Sequence, residues 1–161
     1  MLRCACALLI LAGAAQAALA GHATSEVTAD SPAVRQEFLT AMQRVHGHVA
    51  DLPDSEALIA YPIYDYLQAA RLRRDLDARP SEELDTTIDT FLKDRPDQPV
   101  TRVLRREWLA SLANRGRWDW FLPRSVEIND PVLACDRLAG RLASDDTAQL
   151  GAEVLAVWPC L

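Results

Sequence analysis

Several groups in this chain have the residue types that perform chemistry, and their spacing decides what each can do. His46-Gly47-His48 offers two imidazoles, the usual ligands for a transition metal or the usual proton shuttle. On a helix, ligands share a face at steps of three or four, and a step of two points them apart. The pair therefore reads as a solvent-facing helix end. Glu82-Glu83 offers two carboxylates, the chemistry of an acid and a base on either side of a glycosidic bond. That chemistry needs carboxyl groups at a set separation across a sugar. Adjacent helical positions diverge, so both are read as first-turn acids favoured by the helix dipole. Trp118-x-Trp120-Phe121 offers ring faces on which a saccharide could stack, or large plugs between helices. The chain is only 6% aromatic, and the plug is the reading adopted.

The arginines at 71, 73 and 74 and at 102, 105 and 106 sit in segments with apolar stripes, and read as solvated faces and ion-pair partners. Holding an anionic polymer is their alternative role. No Ser, Cys or His has the companions that would make it a nucleophile, and no Gly-rich phosphate loop is present. The sequence assigns no catalytic residue, no metal ligand and no cofactor.

The elements that position these groups begin after a targeting segment. Arg3 gives a short positive region, Ala7-Leu8-Leu9-Ile10-Leu11-Ala12 opens an apolar core, and Ala18-Leu19-Ala20 offers a small-x-small cleavage pattern. Residues 1–20 are expected to be a cleaved signal peptide, which places the mature chain in the periplasm without a membrane span. Residues 21–30 read as a flexible leader. Cleavage removes Arg3 and shifts the balance of Lys/Arg to Asp/Glu from 17 against 23 (−6) to 16 against 23 (−7). An acidic chain gains nothing from counterion release, which argues against nucleic acid as a partner. Cleavage also leaves two of the four cysteines, Cys135 and Cys160. In an oxidising compartment an even pair reads as a disulfide, worth about 3 kcal/mol for a loop of this length. Two buried thiols are the alternative.

From residue 31 onward the pattern is helical throughout. Ser31-Pro32 is a cap followed by proline, and Val34, Phe38, Met42, Val45 and Val49 recur at helical steps up to the break at 51–54. A short turn over 55–60 follows. Pro62 is expected in the first turn of the next helix, which runs to Leu76 and buries Ile63, Tyr66, Leu67, Ala70 and Leu72. Ser81 caps a third helix with the stripe Leu84, Ile88, Phe91 and Leu92. A fourth starts near Pro99 with Val100, Leu104, Trp108 and Leu112, and stops at Asn114-Arg115-Gly116. A brief helical turn over 118–122 is followed by a helix from Asp130-Pro131 through Leu133, Leu138 and Leu142. The last helix is expected from Asp145-Asp146 through Leu150, Val154, Leu155 and Trp158. No segment alternates with period two, so the fold class is all-α. A bundle and a solenoid of helical hairpins both satisfy the pattern.

The run Tyr61-Pro62-Ile63-Tyr64-Asp65-Tyr66-Leu67, then Phe91-Leu92, then Leu104-Arg105-Arg106-Glu107-Trp108-Leu109, Leu112-Ala113-Asn114-Arg115-Gly116-Arg117-Trp118 and Cys135 carry a resemblance. Over residues 31–158 the chain resembles the amino-terminal part of the soluble lytic murein transglycosylases. The resemblance implies an α-superhelix, the start of a U-shaped domain, over residues 31–161. It implies peptidoglycan as the partner of the whole architecture, and no cofactor. In that family a separate lysozyme-like domain carries a catalytic glutamate that cleaves the MurNAc–GlcNAc bond with closure of a 1,6-anhydro ring. No Glu-Ser pair of that kind occurs here, so the expected role is an inactive scaffold portion of a longer enzyme, cut short by truncation or an incomplete gene model. The resemblance also implies a bridge from Cys135 to a cysteine farther along, for which Cys160 is the candidate. A stand-alone exported helical-repeat adaptor binding other periplasmic proteins is the second reading.

Overall fold

The computed structural model describes residues 31–157, except 97, 127 and 149 and the side chains of 156 and 157. The expected signal peptide, the leader, Trp158 and Cys160 lie outside the described residues. Eight helices and no strand occur among the described residues, so the all-α class holds. No helix among them is long and apolar enough to cross a membrane.

Helix starts follow local chemistry. Ser31 Oγ accepts the amide of Val34 at 3.3 Å and Pro32 takes the first position of α1 (Pro32–His46). Ser55 caps α2 (Glu56–Ile59) through Leu58 N at 3.1 Å, and Ser81 caps α4 (Glu82–Asp94) through Leu84 N at 3.1 Å. Pro99 opens α5 (Pro99–Asn114). Asp130 accepts the amides of Val132 and Leu133 at 2.9 and 3.4 Å to open α7 (Pro131–Ala143). Each cap satisfies an amide that the first turn would leave orphaned.

Five expectations are corrected. α1 stops at His46, because His48 takes a left-handed conformation (φ 52°) and the amides of His48 and Val49 turn back to Val45 O and Arg44 O. Val49 is thereby carried out of the stripe and is 47% exposed. α3 (Tyr64–Ala78) begins after Pro62, which sits in a turn closed by Tyr64 N–H to Tyr61 O at 2.9 Å. Ile63 becomes the non-helical cap, and Ile63 and Tyr66 stay exposed while Leu67, Ala69 and Leu76 are buried. α6 (Trp118–Ser125) is a full eight-residue helix because Phe121 and Ser125, four apart, both face the core. α8 (Leu150–Val157) starts later than Asp145-Asp146: Asp145 is left-handed (φ 57°) and Asp146 N–H turns back to Arg141 O. Leu142, expected on the α7 stripe, is exposed, and Gly140 is buried in its stead.

The packing has a plain order. α1, α3, α5 and α7 touch in succession. The even-numbered helices attach to that row: α2 to α1, α4 to α3 and α5, α6 to α5 and α7, and α8 to α7. The larger core joins α3 to α7 around Ile88, Leu104, Trp108, Leu109, Leu112 and Phe121. A smaller core joins α1, α2 and α3 around Phe38, Leu58 and Leu67, with the Tyr61 ring tilted against Phe38 at 5.4 Å.

The α6–α7 contact rests on one missing side chain. A Cβ at Gly140 would lie 2.7 Å from Trp118 Cε3 and 3.1 Å from Leu122 Cδ2. The indole packs directly on the α7 backbone. Gly140→Ala is expected to push α6 off α7 and destabilise by roughly 1–3 kcal/mol, the cost of overpacking. Urea unfolding measures it; an unchanged or raised midpoint would contradict this packing.

Candidate functional site

Two side chains, Trp108 and Arg115, converge on Asp85, an acid in the first turn of α4 that the sequence reading passed over. Its position one step after Leu84 and three before Ile88 sets it on the buried side of α4, where it is fully buried. Trp108 Nε1 donates to Oδ1 at 2.8 Å, Arg115 Nη2 donates to Oδ1 at 2.7 Å and Arg115 Nη1 donates to Oδ2 at 3.0 Å. Arg115 Nε also donates to Ser111 O at 3.1 Å, holding the fork over the end of α5. A buried carboxylate is tolerable only when paired and fully hydrogen-bonded, and this one is. With three donors and no solvent contact, Asp85 is a tie and not an acid or base for a substrate.

One turn on, Asp89 takes Arg124 of α6 in a fork at 2.9 and 3.0 Å, and Lys93 at 2.8 Å. Hydrogen bonds from Arg124, then from Lys93, hold its carboxyl down at about 2 despite burial. The Arg124 guanidinium lies over the Trp120 ring at 4.5 Å, and Trp120 meets Trp108 edge-on at 6.3 Å. A third cluster fastens the 51–54 loop to α3. Arg71 forks onto Asp54 at 2.6 and 2.8 Å, Tyr64 Oη donates to the same carboxylate at 2.7 Å, and Arg74 forks onto Asp51 at 3.2 and 2.9 Å. Arg71 Nε sits 3.3 Å from Asp51 but is not aligned for a hydrogen bond. The Arg71 bonds lower the Asp54 pKa and the Arg74 bond lowers that of Asp51, while burial and then Asp54 raise that of Tyr64. Further pairs, Arg73–Glu107, Arg95–Asp65 and Arg106–Asp130, cross between elements.

The histidines and the glutamates singled out from sequence stand apart from one another, at the end of α1 and the start of α4. His46 and His48 are exposed at the end of α1. Glu82 and Glu83 are exposed in the first turn of α4, with Glu82 3.6 Å from Arg117. Among the described residues no group of three His, Cys, Asp or Glu could hold a metal ion. Trp118 and Phe121 meet edge-on at 5.8 Å, and both Trp118 and Trp120 pack on the larger core as plugs. Cys135 is half-buried on α7, and its candidate partner Cys160 lies outside the described residues. Arg71, Arg73, Arg74 and Arg106 are ion-paired, whereas Arg102 and Arg105 have no polar partner among the described residues. Asp136 on α7 is half-buried, and burial together with Asp130 raises its pKa. Among the described residues these ion pairs fasten helices to one another.

No family model, no curated protein and no solved structure matches this chain.

Asp85→Ala leaves the Trp108 indole N–H and the Arg115 guanidinium without their acceptor, and is expected to destabilise by about 3–5 kcal/mol. Trp108→Phe removes one donor and part of a ring, and is expected to cost less than Asp85→Ala. Chemical denaturation of both variants checks the order; a near-neutral Asp85→Ala would contradict the frame. For Asp89 the folded pKa lies below the unfolded value, so its contribution is present above about pH 4 and is lost as pH falls towards 2. That contribution is about 2 kcal/mol. The stability gap between the wild type and Asp89→Asn should therefore narrow between pH 4 and pH 2. A gap that stays constant across that interval would show that the Arg124 fork does not hold the charged form.

Proposed function

We propose that this chain is the amino-terminal part of an α-superhelical scaffold in a lytic murein transglycosylase, exported to the periplasm. There it presents shape to the peptidoglycan and does not cleave it. The observation that supports this reading most is the order of packing. Each odd-numbered helix stacks on the next odd one, and each even-numbered helix is attached to its neighbours in that row. Stacked helical hairpins contact in this way, because each repeat touches only the repeats beside it. A closed bundle would bring α1 against α7, and that pair is not among the main contacts.

The chemistry agrees with a scaffold. The buried carboxylate Asp85 is saturated by protein donors, and Asp89, Asp51 and Asp54 each carry an arginine. Glycosidic cleavage needs a protonated carboxyl poised over a sugar oxygen, with its pKa raised. Asp136 has a raised pKa, from burial and then from Asp130, and Asp130 is itself tied to Arg106.

Purified protein incubated with cell-wall sacculi tests this proposal in two readouts. The chain is expected to be retained on sacculi in a pull-down, and no 1,6-anhydromuropeptides should be released above a buffer control. Release of such products would overturn the assignment of catalysis elsewhere. Failure of the chain to be retained would overturn the peptidoglycan scaffold.

A further inference from the structure

Most of the described arginines of this acidic chain are committed internally, and one of the others lines a surface groove. Nine of them hold a carboxylate: 71, 73, 74, 95, 106, 115, 117, 124 and 141. Arg44 and Arg137 donate to backbone carbonyls. Among the described residues Arg79, Arg102 and Arg105 have no polar partner, and of these only Arg105 is half-buried. It faces a groove of about 510 Å³ between α4, α5 and α6.

We propose that this groove is a docking site for a short acidic peptide segment of a partner protein, one in which Glu or Asp alternates with aliphatic residues. Among the described residues, three cations, Lys93, Arg105 and Arg124, face the groove against one carboxylate, Asp89. Asp89 already accepts from Lys93 and from both arms of Arg124, so the groove keeps a surplus of positive charge on a chain whose net charge is −6. A half-buried guanidinium has lost part of its hydration and gains most from a carboxylate that reaches it in a fork. Between the cations the wall is aliphatic: Leu92, Pro123 and Val126, the last 70% exposed. A peptide with acidic and aliphatic side chains in alternation matches both features.

The same geometry disfavours an anionic glycan. Sugar rings bind on open aromatic faces, and none is open here. Trp108 is 1% exposed, and the Trp120 ring carries the Arg124 guanidinium at 4.5 Å. This proposal stands on charge and lining, independently of the superhelical reading.

The test uses the purified protein and two capped, fluorescein-labelled hexapeptides, one alternating Glu and Leu and the other alternating Gln and Leu. Fluorescence anisotropy gives affinity, and ¹H–¹⁵N spectra give location through the Arg105 Nε–H, Lys93 and Val126 signals. The acidic peptide is expected to bind and to shift those signals, with affinity falling as salt rises. Arg105→Gln should weaken binding by roughly tenfold or more, the loss of a charge-assisted hydrogen bond. Arg102→Gln should leave it unchanged. Because Arg105 has no polar partner among the described residues, its variant should keep the wild-type thermal midpoint, which separates lost binding from lost folding. Equal affinity for both peptides, no binding at millimolar concentration, shifts confined to another face, or an unaffected Arg105→Gln would each overturn the proposal. So would an oligoglucuronate that shifts the Arg105 signal when the acidic peptide does not, since the occupant would then be a glycan.

Discussion

Asp85 is a charged group with no water contact, and the middle of the molecule is arranged around keeping it satisfied. Its two oxygens take one indole N–H and both arms of a guanidinium, all supplied by α5 and its C-terminal cap. α4 is the helix that leans on both α3 and α5, so the tie fixes the one element that bridges the row at that point. Ile88, Phe91 and Leu92 of the same helix lie in the larger core. A hydrophobic contact alone would allow α4 to slide or rotate. A forked ion pair with an added indole bond accepts one register.

The same device recurs along the chain. Asp89 with Arg124 fastens α4 to α6, Asp54 and Asp51 with Arg71 and Arg74 fasten the 51–54 loop to α3, and Asp130 with Arg106 fastens the start of α7 to α5. Aromatic rings are few, and two of the four tryptophans serve as partners of these ions: Trp108 as donor to Asp85 and Trp120 as the surface under Arg124. An interior dominated by Leu and Ala is short of the large rings that impose a single packing. Polar ties supply some of that specificity, at a cost in desolvation that only complete hydrogen bonding offsets.

What could be read from residues alone follows the range of the forces involved. Helix starts were legible at Ser31-Pro32, Ser55, Ser81, Pro99 and Asp130-Pro131, because a cap acts within three residues of itself. Helix ends were less so: His48 and Asp145 take left-handed conformations that glycine would have announced and they did not. Pro62 was expected inside α3, yet it shapes the turn ahead of it, and the change of start point left Ile63 and Tyr66 exposed. Trp118 and Trp120 were legible as plugs, while the glycine that receives Trp118 lies on another helix and gave no local sign. Asp85 was the largest omission. An acid among Glu82, Glu83 and Leu84 looks like dipole chemistry, and only the i, i+3 step to Ile88 hints that it faces inward. Its partners stand 23 and 30 residues away, beyond any local signal.

The Trp108 indole N–H reports most directly on whether Asp85 governs the fold, because that proton is the bond. Hydrogen exchange followed on the indole signals of the intact protein should show Trp108 Nε1–H exchanging only through global unfolding, far more slowly than that of Trp118. A Trp108 proton that exchanges as fast as the Trp118 one, through local opening, would contradict the account.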